Sequence, residues 1–236
     1  MKRDRPSEQN NLFSHYQLRK KFTSKKNKVY LIRTVTTESE SKDYVRKEMG
    51  SKLTKEAAFL LKLRERGVSV PELYQSGPDY LILEYLPGPT LLEIYCLLES
   101  EQADLSEVNP LFQGLSNWLL DFYRSYDYKF ILGDINFRNF IVLEKNKIFG
   151  LDFEDCRKGA VEEDIGKLCA FGLSYRPVFT NWKLRVITLL FQDLTEKLSL
   201  DRELTRLKLK EELAAIGKRR RLSLSKIQLE DYLKNF

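Results

Sequence analysis

The amino-acid sequence predicts an α+β fold in two subdomains, and three observations carry that expectation. Strand-like segments fill the first third of the chain. One helical stripe is inserted after the third of them. Beyond Thr90 the apolar spacing turns helical and is interrupted by a single hairpin.

Taken in order, residues 1–11 read as a loose tail. Tyr16 to Phe22 and Lys28 to Arg33 read as strands joined by Thr23-Ser24-Lys25-Lys26-Asn27, and a polar turn over Thr36 to Ser41 leads to a third strand, Asp43 to Met49. From Thr54 to Arg66 the residues Ala57, Ala58, Phe59, Leu60 and Leu61 form a helical stripe stopped by Gly67. Val68-Ser69-Val70-Pro71 opens an extended segment, and Gly77-Pro78-Asp79 turns into the apolar strand Tyr80 to Tyr85. Pro87-Gly88-Pro89 punctuates the chain there, so residues 12–87 and 88–236 are expected to form two lobes. Helices are expected over Thr90 to Ser100, Pro110 to Tyr126, Glu162 to Leu173, Asn181 to Leu198, Arg202 to Ile216 and Ser225 to Lys234, with Gly217 to Arg221 as a solvated linker.

Composition narrows the functional classes. The 236 residues are 42% hydrophobic and 12% aromatic, which describes a folded globular chain. No apolar run approaches the ~18–20 residues that span a bilayer, and the N-terminus has no signal-peptide core, so a cytoplasmic protein is expected. Three cysteines without a CxxC pairing and a lone His15 argue against a disulfide frame, a zinc site and a His-based triad. The net charge of +6 is concentrated in Arg19-Lys20-Lys21, Lys25-Lys26 and Lys218 to Arg221. These clusters are either solvated faces or an attraction for an anionic partner such as a nucleotide, RNA or an acidic protein surface.

The chemistry lies in two short stretches, Gly133-Asp134-Ile135-Asn136-Phe137-Arg138-Asn139 and Leu151-Asp152-Phe153-Glu154. Phe140 to Leu143, a polar turn and Ile148 to Leu151 form a hairpin between them. It carries Asp-x4-Asn on the way in and an Asp on the way out. Phosphoryl transfer from ATP needs a carboxylate to receive or orient the acceptor hydroxyl, and oxygen ligands for the Mg²⁺ that bridges the phosphates. Asp134, Asn139 and Asp152 supply that set at one end of a ribbon. For Asp134 the structural alternative is a turn or helix cap; for Asp152, at the end of an apolar strand, it is a buried ion pair.

Gly133-Asp134-x4-Asn139 with Asp152-Phe153-Glu154 resembles the catalytic loop and metal-binding motif of the protein-kinase-like superfamily. The resemblance is closest to its atypical members: aminoglycoside and choline phosphotransferases, RIO kinases and the small kinase of the KEOPS complex. It implies a two-lobed fold with a five-stranded, one-helix N-lobe and a mostly helical C-lobe. It also implies ATP and Mg²⁺ as cofactors and transfer of the γ-phosphoryl group to a hydroxyl, most simply of a small molecule. Asp134 would be the catalytic carboxylate, with Asn139 and Asp152 as metal ligands. Val45-Arg46-Lys47 is similar to the Ala-x-Lys pattern, with Lys47 reaching the α/β-phosphates and Glu56 on the next helix pairing with it; a solvated Glu56 is the alternative. Leu83 to Leu86 resembles the hinge, where the Glu84 carbonyl and the Leu86 amide would read adenine. Asp164 resembles an Asp that braces the catalytic loop. The chain departs from the pattern in four places. Leu132 stands where His is common, Glu154 replaces Gly, and Thr23 to Asn27 lacks glycine. Only about ten residues separate Asp152 from the helix near Glu162, which disfavours peptide docking.

Overall fold

The computed structural model describes residues 13, 15–23, 26–34, 41–48, 53–221, 233, 234 and 236. The expected tail over residues 1–11, most of the turn over Thr36 to Ser41 and nearly all of the last expected helix lie outside the described residues. The fold is α+β, with a five-stranded antiparallel sheet and six helices among the described residues. The chain divides into two compact units. The first comprises the described residues within Met1–Arg64 together with Pro71–Leu86, and the second Glu65–Val70 together with Pro87–Phe236.

The first unit is the sheet plus one helix. Strands β1 (Tyr16–Phe22), β2 (Lys28–Thr34), β3 (Asp43–Glu48), β4 (Leu73–Ser76) and β5 (Tyr80–Glu84) pair in the order β1-β2-β3-β5-β4. Because side chains alternate along a strand, the register fixes two faces. Tyr44 lies opposite Ile32 and Glu84, while Lys47 lies opposite Val29 and Leu81. Ile32, Tyr44 and Ile82 form a buried cluster on the first face, packed with Phe13, Tyr30, Tyr74 and Tyr80. Its rings meet edge to face, Phe13 on Tyr44 at 4.9 Å and Tyr44 on Tyr74 at 5.0 Å, the arrangement the ring quadrupoles favour. Helix α1 (Leu53–Glu65) buries Ala57, Phe59, Leu60 and Leu63, and Gly67 follows it at φ 78°. Leu61, which the apolar stripe would place inward, is exposed. The inward positions follow the 3.6-residue repeat from Glu56 through Leu60 to Leu63, and Leu61 falls off that arc.

The second unit holds α2 (Leu91–Ser100), α3 (Leu105–Arg124), α4 (Val161–Ser174), α5 (Asn181–Lys197) and α6 (Arg202–Arg220). Helix starts are chemically marked. Thr90 and Glu93 form a reciprocal capping box at α2, Thr180 Oγ1 accepts from Lys183 N at α5, and Asp201 accepts from Leu204 N at α6. Helix α3 begins at Leu105 rather than Pro110. Proline forfeits one backbone bond but does not stop a helix whose face already buries Val108, Leu111 and Leu115. Helix α6 continues through the expected linker to Arg220, and Arg221 ends it in the left-handed region. The extra turn is held by Arg219 on Glu212 at 2.6 Å and by Arg220 on the Ser174 carbonyl at 2.6 Å. Helices α4 and α6 approach closely at Gly166, where a Cβ would lie 2.5 Å from the Leu209 nitrogen. Lys183 and Glu99, both buried, form an ion pair between α5 and α2, completed by Thr180 Oγ1 and the Pro177 carbonyl.

Besides the hairpin of β7 (Phe140–Leu143) and β8 (Lys147–Gly150), a further two-stranded ribbon pairs β6 (Phe130–Ile131) with β9 (Arg157–Lys158). This ribbon departs from the expectation that everything after Thr90 is helical apart from the hairpin. Two-residue strands carry too little periodicity to be seen in sequence. No helix among the described residues is long and apolar enough to cross a membrane.

Candidate active site

In the second unit the two ribbons bring the chemical stretches together. The β6–β9 pair joins the segment entering the Asp134 loop to the segment leaving the Asp152 loop, with Phe130 opposite Lys158 and Ile131 opposite Arg157. Inside it, β7 and β8 run from Phe140 opposite Gly150 to Leu143 opposite Lys147. One further bond, Leu151 N to Asn139 O at 2.8 Å, carries the ladder up to the two predicted metal ligands. The loops therefore leave the ribbon side by side. Gly133 sits at φ 77°, and a Cβ there would lie 2.5 Å from the Asp155 carbonyl oxygen, so glycine is required for both conformation and contact.

Asp134 occupies this loop, half-buried. Asn136 Oδ1 accepts from Arg138 N at 3.0 Å and caps the short 3-10 turn Phe137–Asn139. Asn139 Nδ2 donates to the Asp134 carbonyl at 2.7 Å. That bond commits the amide nitrogen and leaves Oδ1 as the atom able to bind a cation. Asp152 has φ 63°, in the left-handed region that non-glycine residues rarely adopt and that Asp tolerates better than most. Phe153 is fully buried beneath it, stacked on Trp118 and Phe122 at 6.4 Å each. Glu154 is buried too, with a carboxylate oxygen within 4.8 Å of one from Asp152. A carboxylate and an amide oxygen are the hard ligands Mg²⁺ takes.

The loop is braced from α4. Asp164, 1% exposed, accepts from Leu132 N at 2.6 Å, Gly133 N at 3.0 Å and Tyr123 Oη at 3.0 Å. Burial pushes its carboxyl up to about 6, against the pull of those hydrogen bonds and of the Lys167 charge. Lys167 itself donates to the Gly133 carbonyl at 2.6 Å, and Tyr175 Oη accepts from Phe137 N at 3.1 Å. Sequence reasoning named Asp164 but missed Lys167 and Tyr175. The only available signal for Lys167 was its place one turn beyond Asp164 on the same helix.

In the first unit, Lys47 Nζ lies 2.8 and 2.7 Å from the two Glu56 carboxylate oxygens, tying β3 to the first turn of α1. Both side chains are buried, 6% and 2% exposed, which rules out a solvated Glu56. Arg46 points to the opposite face, on Glu48 at 3.0 Å and over the Tyr80 ring at 4.2 Å. Glu84 pairs its backbone N–H with the Glu72 carbonyl at 2.8 Å, and its carboxylate accepts from Glu72 N at 3.1 Å. Leu86 is buried at the end of the unit. Of the loop Thr23 to Asn27, Ser24 and Lys25 lie outside the described residues. No family model matches the chain, and no curated protein matches it.

Proposed function

We propose that this chain is an ATP- and Mg²⁺-dependent phosphotransferase with a two-lobed, atypical kinase-like fold, acting on the hydroxyl of a small acceptor. The observation that carries the reading is the paired-loop geometry, in which Asn139 is fixed by the Asp134 carbonyl and joined through the ladder to Asp152. The buried Lys47–Glu56 pair supports it independently. A buried lysine held by one carboxylate presents a fixed positive charge suited to phosphate oxygens.

In this reading Lys47 steadies the α- and β-phosphates, while the Glu84 carbonyl and the Leu86 amide meet the adenine edge. Asn139 Oδ1 and the Asp152 carboxylate would hold Mg²⁺. When bound, the ion neutralises charge on the phosphate oxygens. Asp134 accepts the acceptor's hydroxyl proton as its oxygen bonds to the γ-phosphorus. The bond from that phosphorus to the β–γ bridging oxygen breaks, and ADP leaves. Catalysis is then positioning and charge neutralisation, with Asp164, Lys167 and Tyr175 holding the loop in place. Between Asp152 and α4 there is only the short β9, with no long segment on which a peptide could lie. That disfavours a conventional peptide-docking protein kinase, and it fits a small acceptor and a RIO-like or KEOPS-like kinase equally. The test is ADP release with Mg²⁺-ATP and a panel of hydroxyl-bearing metabolites. Asp134→Asn and Asp152→Asn should each abolish turnover in a folded chain. ATP binding without turnover by the unmutated chain across the panel would instead indicate a nucleotide-binding scaffold.

A further inference from the structure

Four residues after Asp134, in the same loop, stands Arg138, whose guanidinium lies over the Tyr175 ring at 5.4 Å. Tyr175 stacks on Phe171 at 6.3 Å, and the guanidinium of Arg220 lies over Phe171 at 5.8 Å while donating to the Ser174 carbonyl and hydroxyl. Arg176 follows Tyr175 directly and is exposed. Two guanidinium groups, from the Asp134 loop and the end of α6, thus lie on one aromatic pair, and Arg176 is near enough for its charge to act on Arg220. Burial and the charges of Arg138, Arg219 and Arg176 pull Arg220 below its usual range.

Three cations of this unit that lie at helix or strand contacts are neutralised: Arg157 by Glu163, Arg219 by Glu212 and Lys183 by Glu99. Arg138, Arg176 and Arg220 have no carboxylate partner among the described residues. Like charges gathered without counter-charge destabilise one another until an anion joins them. Stacking on aromatic faces also holds two of the forks in set orientations, which lowers the ordering cost of binding.

We propose that Arg138, Arg176 and Arg220 bind the phosphate of a small phosphorylated acceptor, so that the enzyme acts on a hydroxyl compound already carrying a phosphate group. This rests on the phosphotransferase reading and adds the acceptor's chemical class. A carboxylate offers two oxygens, whereas three forks match the additional oxygens and higher charge of a phosphate. A polynucleotide held by charge engages roughly 6–10 phosphates, more than this compact cluster can serve. The position of Arg138 within the Asp134 loop places the anion on the acceptor's side of the reaction.

Inorganic phosphate titrated into the full chain and followed by phosphorus NMR tests the site without ATP. Arg176→Gln is the cleanest variant, because that side chain makes no hydrogen bond among the described residues. It and Arg138→Gln should each weaken phosphate binding by at least about tenfold, the loss of one charge-assisted contact. Sugar monophosphates should support ADP release where the parent sugars do not, with KM raised in the arginine variants. Phosphate affinity unchanged in both variants overturns the site. Arginine-dependent, salt-sensitive binding of oligouridylate without any binding of phosphate overturns it in favour of RNA. Arginine-dependent phosphate binding in a chain that never turns over ATP supports the anion site and overturns the phosphotransferase reading alone.

Discussion

Asp164→Asn is a one-atom change whose effect follows from geometry. The carboxylate accepts Leu132 N and Tyr123 Oη on one oxygen and Gly133 N on the other. An asparagine keeps one accepting oxygen and turns an NH₂ toward the remaining backbone N–H. Leaving one buried donor unsatisfied costs about 1–3 kcal/mol, so the variant should be destabilised by that amount at neutral pH. The pH dependence is the sharper readout. The folded-state carboxyl titrates at about 6 against an ordinary 3.8, so the folded chain holds the proton more tightly than the unfolded chain. A raised carboxyl pKa gives stability that is fullest below the unfolded value and falls as pH rises through the folded one. Roughly two pKa units correspond to about 3 kcal/mol, lost between pH ~4 and ~7. Asparagine does not titrate, so the stability gap between parent and variant should narrow by about that much across the same window. Urea unfolding followed by fluorescence of Trp118 and Trp182, both in the same unit, measures the gap at each pH. A gap that stays constant, or widens with pH, would refute burial as the dominant influence on Asp164.

Gly133→Ala combines a positive φ with a Cβ 2.5 Å from the Asp155 carbonyl, and is expected to cost about 1–3 kcal/mol and to displace Asp134; calorimetric melting paired with ADP release would show both losses. Lys47→Ala and Glu56→Ala each strand a buried charge, so each should destabilise by about 3–5 kcal/mol, with the double variant losing less than the sum. A denaturant double-mutant cycle yielding simple additivity would contradict the coupling. Asp152→Asn should leave folding intact and remove Mg²⁺-dependent ATP turnover, read as ADP release over a magnesium titration. Gly166→Ala should destabilise the chain through the α4–α6 contact, because the obstacle is the Leu209 backbone nitrogen, which cannot rotate away.

Elements whose signal is local can be read directly from neighbouring residues. The strand β1, the hairpin β7–β8 and the starts of α2 and α5 coincide with alternation, a polar turn and capping residues, because each is written in neighbouring side chains. The pairing of Lys47 with Glu56 was expected from the resemblance to the kinase-like pattern alone, since the local sequence allowed a solvated Glu56 as well, and the two side chains meet. Tertiary structure decided what depends on distant partners. The ribbon β6–β9 exists because Ile131 finds Arg157 across the loop pair, and two residues carry no period of their own. The last turn of α6 persists because Arg220 finds Ser174 on another helix, where composition suggested a solvated linker. The arginine cluster belongs to the same class: Arg138, Arg176 and Arg220 are scattered in sequence and come near one another only when α4 and α6 close around the Asp134 loop. Local signals set the position of each candidate site residue along the chain. Long-range packing sets its neighbours, and electrostatic character depends on those neighbours.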